Sequence, residues 1–277
     1  MPRNWDEYHQ SEKPALDLLE KLGYKVYDQE EEGCDSLPLR SSEHEVVLKS
    51  ELKAALKRIN DWDISENNIE KAINNIRPAR LKANNLMEAN ELIYDSLINN
   101  ISLKQDLGEG KKGQTVKYID FDNPENNSFI AINQLRVKGK EVIKPDITIF
   151  VNGIPLAVIE CKNETTCNEP EEDAITQLRR YQNVRDGLEE GAEQLFYPNQ
   201  LPLAAWGSSA SSATVRAPSR AYKGWKDPYP ATNEDIEKLS YGSYFLQLTN
   251  APIVKNKTEK QLFILLLKSL EALKTPH

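Results

Sequence analysis

Histidine and cysteine are scarce in this chain, three of each in 277 residues. The histidines, His9, His44 and His277, supply a histidine-based active site poorly, and no Cys/His spacing resembles a zinc site. Cys34, Cys161 and Cys167 are too few and too scattered for a disulfide framework. No run approaches 18 apolar residues, so no segment reads as a bilayer span. The opening Met-Pro-Arg-Asn-Trp-Asp-Glu has no apolar signal region, and the expectation is a cytoplasmic protein. An excess of positive charge is missing too. A net charge of −8 excludes a surface coated in basic residues, although nucleic-acid binding rests largely on phosphate neutralisation. Only local strips remain for that role: Lys111 with Lys112; Arg136, Lys138, Lys140 and Lys144; Arg216, Arg220, Lys223 and Lys226. Taken singly, each is an ordinary solvated face. Any chemistry must therefore fall to carboxylates and lysines. What is present, 39% hydrophobic and 28% charged residues, suits a globular chain of one large domain or two smaller ones.

The first hundred residues carry helical spacing. Leu16, Leu18, Leu19 and Leu22 follow Ser11-Glu-Lys-Pro, and Gly23 ends that helix. Ser41 or Ser42 is the candidate cap of a second, with Val46, Val47, Leu48, Leu52, Ala55 and Leu56 inside. Ser65 caps a third through Ile69, Ala72, Ile73 and Ile76, disturbed at its end by Pro78, and a fourth spans 86–99. The period then changes. Gly108 to Gly113 reads as a flexible connector; it half matches a phosphate-binding loop, but Gln114-Thr115 stands where Lys-Ser/Thr is required, so the chain should not bind ATP this way. Strands are expected over Val116–Phe121, Phe129–Val137, Asp146–Val151, Leu156–Lys162 and Leu201–Trp206. Asn123–Asn127 is dense in turn residues, and Gly207–Ser219 is a loop or weak edge hairpin. Helices are expected from Glu171 to about Asp186 and over Thr258–Leu273. Helices, antiparallel strands, a helix and a further strand predict an α/β sandwich with a mixed sheet.

The chemistry centres on Pro145-Asp146 and Glu160-Cys161-Lys162, an acid, thirteen residues, then Glu-x-Lys ending an apolar strand. This is the layout of PD-(D/E)xK nucleases. Phosphodiester hydrolysis needs a hard cation to offset phosphate charge and acidify a water. Magnesium takes one or two carboxylates plus waters, which Asp146 and Glu160 can supply, with the Cys161 backbone carbonyl as a further donor. Lys162 leaves the same strand face as Glu160, and its ammonium can hold the attacking water. Acid-x-Lys alone is often a solvated pair; here Ala157, Val158 and Ile159 run straight into Glu160, which places the charge at the end of a buried strand. Farther on, Gln177 and Tyr181 share a helix face.

Together these stretches resemble the N-terminal endonuclease region of the R (restriction) subunit of type I restriction-modification enzymes. The matching residues are Ser11-Glu12 to Leu22-Gly23-Tyr24, Tyr118 to Asn127, Asn133-Gln134, Pro145 to Lys162, Ala174 with Gln177 and Tyr181, and Asn199 through Gly207 towards Trp225. The resemblance implies a restriction-endonuclease-like mixed sheet flanked by helices, and Mg2+-dependent cleavage of double-stranded DNA without sequence specificity of its own. It implies metal binding by Asp146 and Glu160, with Glu12 as a possible further acid from the first helix. Lys162 would be the catalytic lysine, and Gln177 and Tyr181 the auxiliary helical motif. The implied partners are the methylation and specificity subunits. Family R subunits continue into ATP-driven translocase domains, whose motifs this sequence lacks; an excised fragment and a naturally short homologue both fit. The expected division is a nuclease domain over 1–227, helical over 1–107 and catalytic over 108–227, then an extension over 228–277 that carries no recognised feature of the family. The alternatives are a non-catalytic docking module on a nuclease fold and another PD-(D/E)xK nuclease.

The hairpin through Asn152-Gly153 allows a sharper expectation. Directly opposed residues in an antiparallel pair share a face. A plain two-residue turn sets Val151 opposite Ile154 and Asp146 opposite Ile159, on the side away from Glu160. A three-residue connection, or a bulge elsewhere in either strand, sets Asp146 opposite Glu160 and Thr148 opposite Val158. A shared cation therefore predicts an odd-length connection or a bulge.

Overall fold

The computed structural model describes residues 8–28, 39–77, 83–108, 110–185, 189–207 and 209–224. The extension over 228–277 with its expected helix Thr258–Leu273, and the positions Cys34, Pro78, Trp225 and Lys226, lie outside the described residues. No described helix is long and apolar enough to cross a membrane.

A π-helical turn, Tyr8–Glu12, leads into α1, Lys13–Lys21, which buries Leu16, Leu18 and Leu19 and ends at Gly23 with φ 82°. The chain then forms a short strand, β1, Lys25–Tyr27, which helical spacing had hidden. α2, Lys49–Ile59, starts later than expected. Ser41 caps nothing; its amide and hydroxyl donate to Glu45 Oε2 at 3.0 and 2.8 Å. Val46, Val47 and Leu48 are buried ahead of the helix, and the Leu48 N–H is committed to Gly153 O at 2.8 Å. α3, Glu66–Asn75, begins at the expected Ser65, whose hydroxyl accepts from Asn68 N–H. α4, Leu86–Asn99, is capped by Asn85, whose side chain accepts from Glu88 N–H at 3.0 Å.

The expected connector at Gly108–Gly113 is a strand in part. β2, Ile101–Asp106, pairs antiparallel with β3, Lys111–Val116. Asp106 Oδ1 accepts from the amides of Gly108 and Gly110 at 2.9 and 3.0 Å. This hairpin stands apart from the main sheet, so it lacks the apolar pattern that marks a core strand. Residues 117–121 are not the expected strand. Their backbone is bound by side-chain amides instead: Asn152 Nδ2 donates to Tyr118 O at 2.9 Å, and Asp120 N donates to Asn127 Oδ1 at 2.9 Å.

The core is a mixed sheet of seven strands in the order β1-β4-β7-β8-β9-β10-β11. Its further members are β4, Phe129–Asn133; β7, Ile147–Val151; β8, Ile154–Lys162; β9, Leu201–Trp206; β10, Ser209–Ser212; and β11, Lys223–Gly224. β1 runs parallel to β4 and β8 parallel to β9; the other pairs are antiparallel. The expected strand Phe129–Val137 stops at Asn133, where Gln134 turns left-handed, and Val137–Lys138 (β5) pairs with Val142–Ile143 (β6) as a separate hairpin. The Ser-rich segment after Gly207 supplies β10, which pairs with β9 and carries the two-residue β11 at the sheet edge. α5, Pro170–Tyr181, links parallel β8 and β9 and packs on both. Strands β4 and β7 are buried throughout, as sheets covered on both faces require.

Asn152 and Gly153 both have positive φ, 52° and 79°, as a tight two-residue hairpin turn demands. Val151 pairs with Ile154 and Phe150 with Pro155; then the register shifts, and Ile149 pairs with Ala157, Thr148 with Val158 and Ile147 with Ile159. Leu156 is the extra residue. The connection is thus even, and the bulge alone moves the register. Its carbonyl is satisfied by Gln200 N at 2.8 Å, at the entry to β9. A Cβ on Gly153 would stand 2.5 Å from Leu48 O. Gly153→Ala should therefore cost more than about 1 kcal/mol, read in urea unfolding; an unchanged midpoint would contradict this account of the turn.

Candidate active site

Past the bulge, the β7–β8 register ends with Ile147 opposite Ile159, and one further step outward sets Asp146 opposite Glu160. Opposed residues share a face, so both carboxylates leave the same side of the sheet. Both are buried, Asp146 at 7% exposure and Glu160 at 2%. Asp146 Oδ2 accepts the Cys161 backbone N–H at 2.7 Å, which fixes its carboxylate beside the β8 terminus. Lys162, two residues beyond Glu160, projects from the same face. Its Nζ lies 3.1 Å from Glu160 Oε1 and donates to Cys161 O, also at 3.1 Å.

The first helical segment closes over this strand end. Ser11 Oγ donates to Lys162 O at 3.3 Å. Glu12, buried at 5% exposure, reaches Asp146 through an intermediary: Gln134 Nε2 donates to Glu12 Oε2 at 2.9 Å and to Asp146 Oδ1 at 3.1 Å. In the sequence Gln134 stands out only within a matching stretch. A polar pair, Asn133-Gln134, at the end of an apolar strand was the one available signal.

On α5, Gln177 Nε2 donates to the Tyr181 hydroxyl at 2.9 Å, and Arg180 Nε donates to Gln177 Oε1 at 3.2 Å. The Tyr181 proton goes to Lys144 O at 3.2 Å, and Arg180 is ion-paired with Glu141. Tyr181 and Glu160 are close enough to shift one another, and Gln177 is one step behind Tyr181. The helix ends suit their dipole, with Glu171, Glu172 and Asp173 first and Arg179 and Arg180 last.

Burial pushes the Glu160 carboxyl well above its ordinary value, and the neighbouring Asp146 carboxylate pushes it further; Lys162 opposes both, and nearby Tyr181 opposes them weakly. Burial and then Glu160 likewise push up the Tyr181 hydroxyl. Glu160 Oε2 is buried without a hydrogen-bond partner. An acceptor left without a donor at the sealed end of a strand is expensive, and it points at a positive ligand. Among the described residues no three His, Cys, Asp or Glu side chains gather as a metal group. The donor set is two carboxylates and the Cys161 carbonyl, which fits a magnesium ion that keeps part of its water shell. Of the basic strips, Lys138 and Lys140 line a cavity of about 550 Å3 with Lys49 and Arg77; Glu45, ion-paired with Lys49, and Glu193 line it too, whereas Glu12, Asp146 and Glu160 do not.

A family model described as the type I restriction enzyme R protein N terminus matches residues 5–219. The chain is 35% identical over 198 residues to a Methanocaldococcus jannaschii protein named "Putative type I restriction enzyme MjaVIIIP endonuclease subunit", covering 66% of this chain and 18% of that protein. A second M. jannaschii protein, "Putative type I restriction enzyme MjaIXP endonuclease subunit", is 31% identical over 197 residues, 64% of this chain and 18% of its own length. The Type I restriction enzyme HindI endonuclease subunit of Haemophilus influenzae is 25% identical over 218 residues, 78% of this chain and 20% of its own. The chain thus spans about a fifth of the length of the curated relatives it matches.

The raised Glu160 carboxyl gives a stability test with chelator present. The folded state holds this proton more tightly than the unfolded state. The stability it lends is complete below the unfolded pKa and is lost as pH rises towards the folded one. Glutamine does not titrate, so Glu160→Gln should be the more stable protein at pH 8, by roughly 1–3 kcal/mol. Its advantage should shrink as the pH is lowered into the ordinary carboxyl range. Calorimetric melting across that range checks the sign; a glutamine variant that is less stable at pH 8 would contradict it.

Proposed function

The chain belongs to the family of type I restriction enzyme R protein N termini, and on that premise we propose that it is the Mg2+-dependent nuclease part of such an enzyme, hydrolysing phosphodiesters of double-stranded DNA. One observation carries the reading: two buried carboxylates, Asp146 and Glu160, leave one sheet face, with the Lys162 ammonium 3.1 Å from one of them. Asp146, Glu160 and the Cys161 carbonyl would hold the cation. When bound, Mg2+ offsets charge on the phosphate oxygens and lowers the pKa of a water.

The remaining roles fall to the chain's own groups. Lys162 is fixed by Glu160 Oε1 and Cys161 O, so its ammonium is aimed where a phosphate oxygen or attacking water would sit, without reorganisation during reaction. Tyr181, ordered by Gln177 and tied to Lys144 O, walls the carboxylates on the α5 side. Arg77 and Lys138, with Lys49 and Lys140 partly offset by Glu45 and Glu189, give DNA phosphates a local place to bind in a chain of net charge −8. Because the relatives are about five times longer than the matched region, we assign target choice to methylation and specificity subunits and ATP-driven translocation to segments outside these residues. Cleavage then follows arrival of DNA at this site.

Nicking of supercoiled plasmid in Mg2+ tests the assignment, by the chain alone and within the ATP-dependent assembly. Lys162→Ala should lower the rate by about 100-fold or more with an unchanged circular-dichroism spectrum. A folded Lys162→Ala protein that nicks at the parent rate in the assembly would remove Lys162 from the chemistry. Gln177→Ala should reduce nicking more than thermal stability. Heavy loss of stability with normal nicking would make Gln177 a structural residue only.

A further inference from the structure

Gln134 is the first residue beyond β4 and adopts a left-handed backbone, φ 48°. An L side chain stays in that region only where its surroundings demand it. Here the surroundings are specific. Its backbone N–H donates to Asp146 O at 3.0 Å, extending the β4–β7 ladder by one bent residue. Its side-chain amide donates to Glu12 Oε2 at 2.9 Å and to Asp146 Oδ1 at 3.1 Å. An amide NH2 carries two hydrogens, and these bonds use both. The preceding residue repeats the pattern: Asn133 Nδ2 donates to Asp28 Oδ1 at 2.9 Å. The dipeptide thus fastens the N-terminal segment to the end of β4 at two acids.

The neutrality of the amide matters. A lysine or arginine between Glu12 and Asp146 would hold them equally well but would cancel their charge. Glutamine fixes both carboxylates and leaves their negative charge in place. With Cys161 N–H on Oδ2 and Gln134 on Oδ1, the Asp146 carboxylate is held at both oxygens.

We infer that Gln134 is a positioning residue: its amide clamps Asp146 and Glu12 side by side and so presents Asp146 to the same cation as Glu160. The inference rests on the magnesium-site reading above. Two variants separate the amide from the backbone. Gln134→Gly accepts the left-handed conformation without strain and removes the whole side chain, amide included. Gln134→Met keeps the volume and removes the donors. Calorimetric titration of the full chain with Mn2+ should show both variants binding about 10–100-fold more weakly than the parent. Both variants should keep the parent circular-dichroism spectrum and melt in chelator below the parent temperature, because Glu12 and Asp146 each lose a donor. In the assembly, the Mg2+ concentration for half-maximal nicking should rise by the same factor, while the rate at saturating Mg2+ returns to within a few-fold of the parent. Parent-like Mn2+ affinity in both variants, beside loss of binding in Asp146→Ala, would overturn the role of Gln134 and leave the metal site standing. A parent chain that binds no Mn2+ would remove the site, and this inference with it.

Discussion

One inserted residue, Leu156, decides which side of the sheet Glu160 occupies. The tight turn at Asn152-Gly153 fixes the start of the β7–β8 pairing, and every later residue would inherit that register. Carried on unchanged, it would put Asp146 opposite Ile159 and leave the two acids on opposite faces. The bulge moves Ala157 opposite Ile149 and brings the acids together. Bulges commonly re-aim side chains beside functional sites. This one is held by its neighbour, since Gln200 N satisfies the Leu156 carbonyl and leads directly into the β8–β9 pairing.

What the bulge assembles is electrostatically costly. Two carboxylates share a buried face, one oxygen of Glu160 has no donor, and Lys162 supplies only partial compensation. The fold meets this cost with neutral or backbone donors, Cys161 N–H and the Gln134 amide, in place of neutralising charges. The N-terminal segment is drawn in through Ser11 on Lys162 O, Glu12 on the Gln134 amide and Asp28 on the Asn133 amide. Helical and sheet portions of the chain therefore meet at the site, which explains why β1 belongs to the sheet although it follows α1.

Features written in local chemistry were legible in the sequence. The Asn152-Gly153 turn, the Ser65 cap, the strand Leu201–Trp206 and the bulge as one of two ways to align Asp146 with Glu160 all follow from short-range rules. Features set by distant partners were not. β1 has three residues and exists because β4 lies beside it. α2 begins at Lys49 because Leu48 N–H is claimed by Gly153 O, over a hundred residues away. Residues 117–121 resemble a strand, yet the amides of Asn127 and Asn152 take their backbone groups. Gln134 carried no periodic signal, since its conformation and its two bonds depend on Glu12 and Asp146 arriving from either side.

The central claim is that the bulge gives Asp146 and Glu160 one cation to share. Crystals of the chain soaked in Mn2+ and measured at the manganese absorption edge test it directly. The account predicts an anomalous peak within coordination distance of both carboxylates and of the Cys161 carbonyl. A peak bound elsewhere, or well-ordered carboxylates with no peak between them at saturating Mn2+, would contradict it.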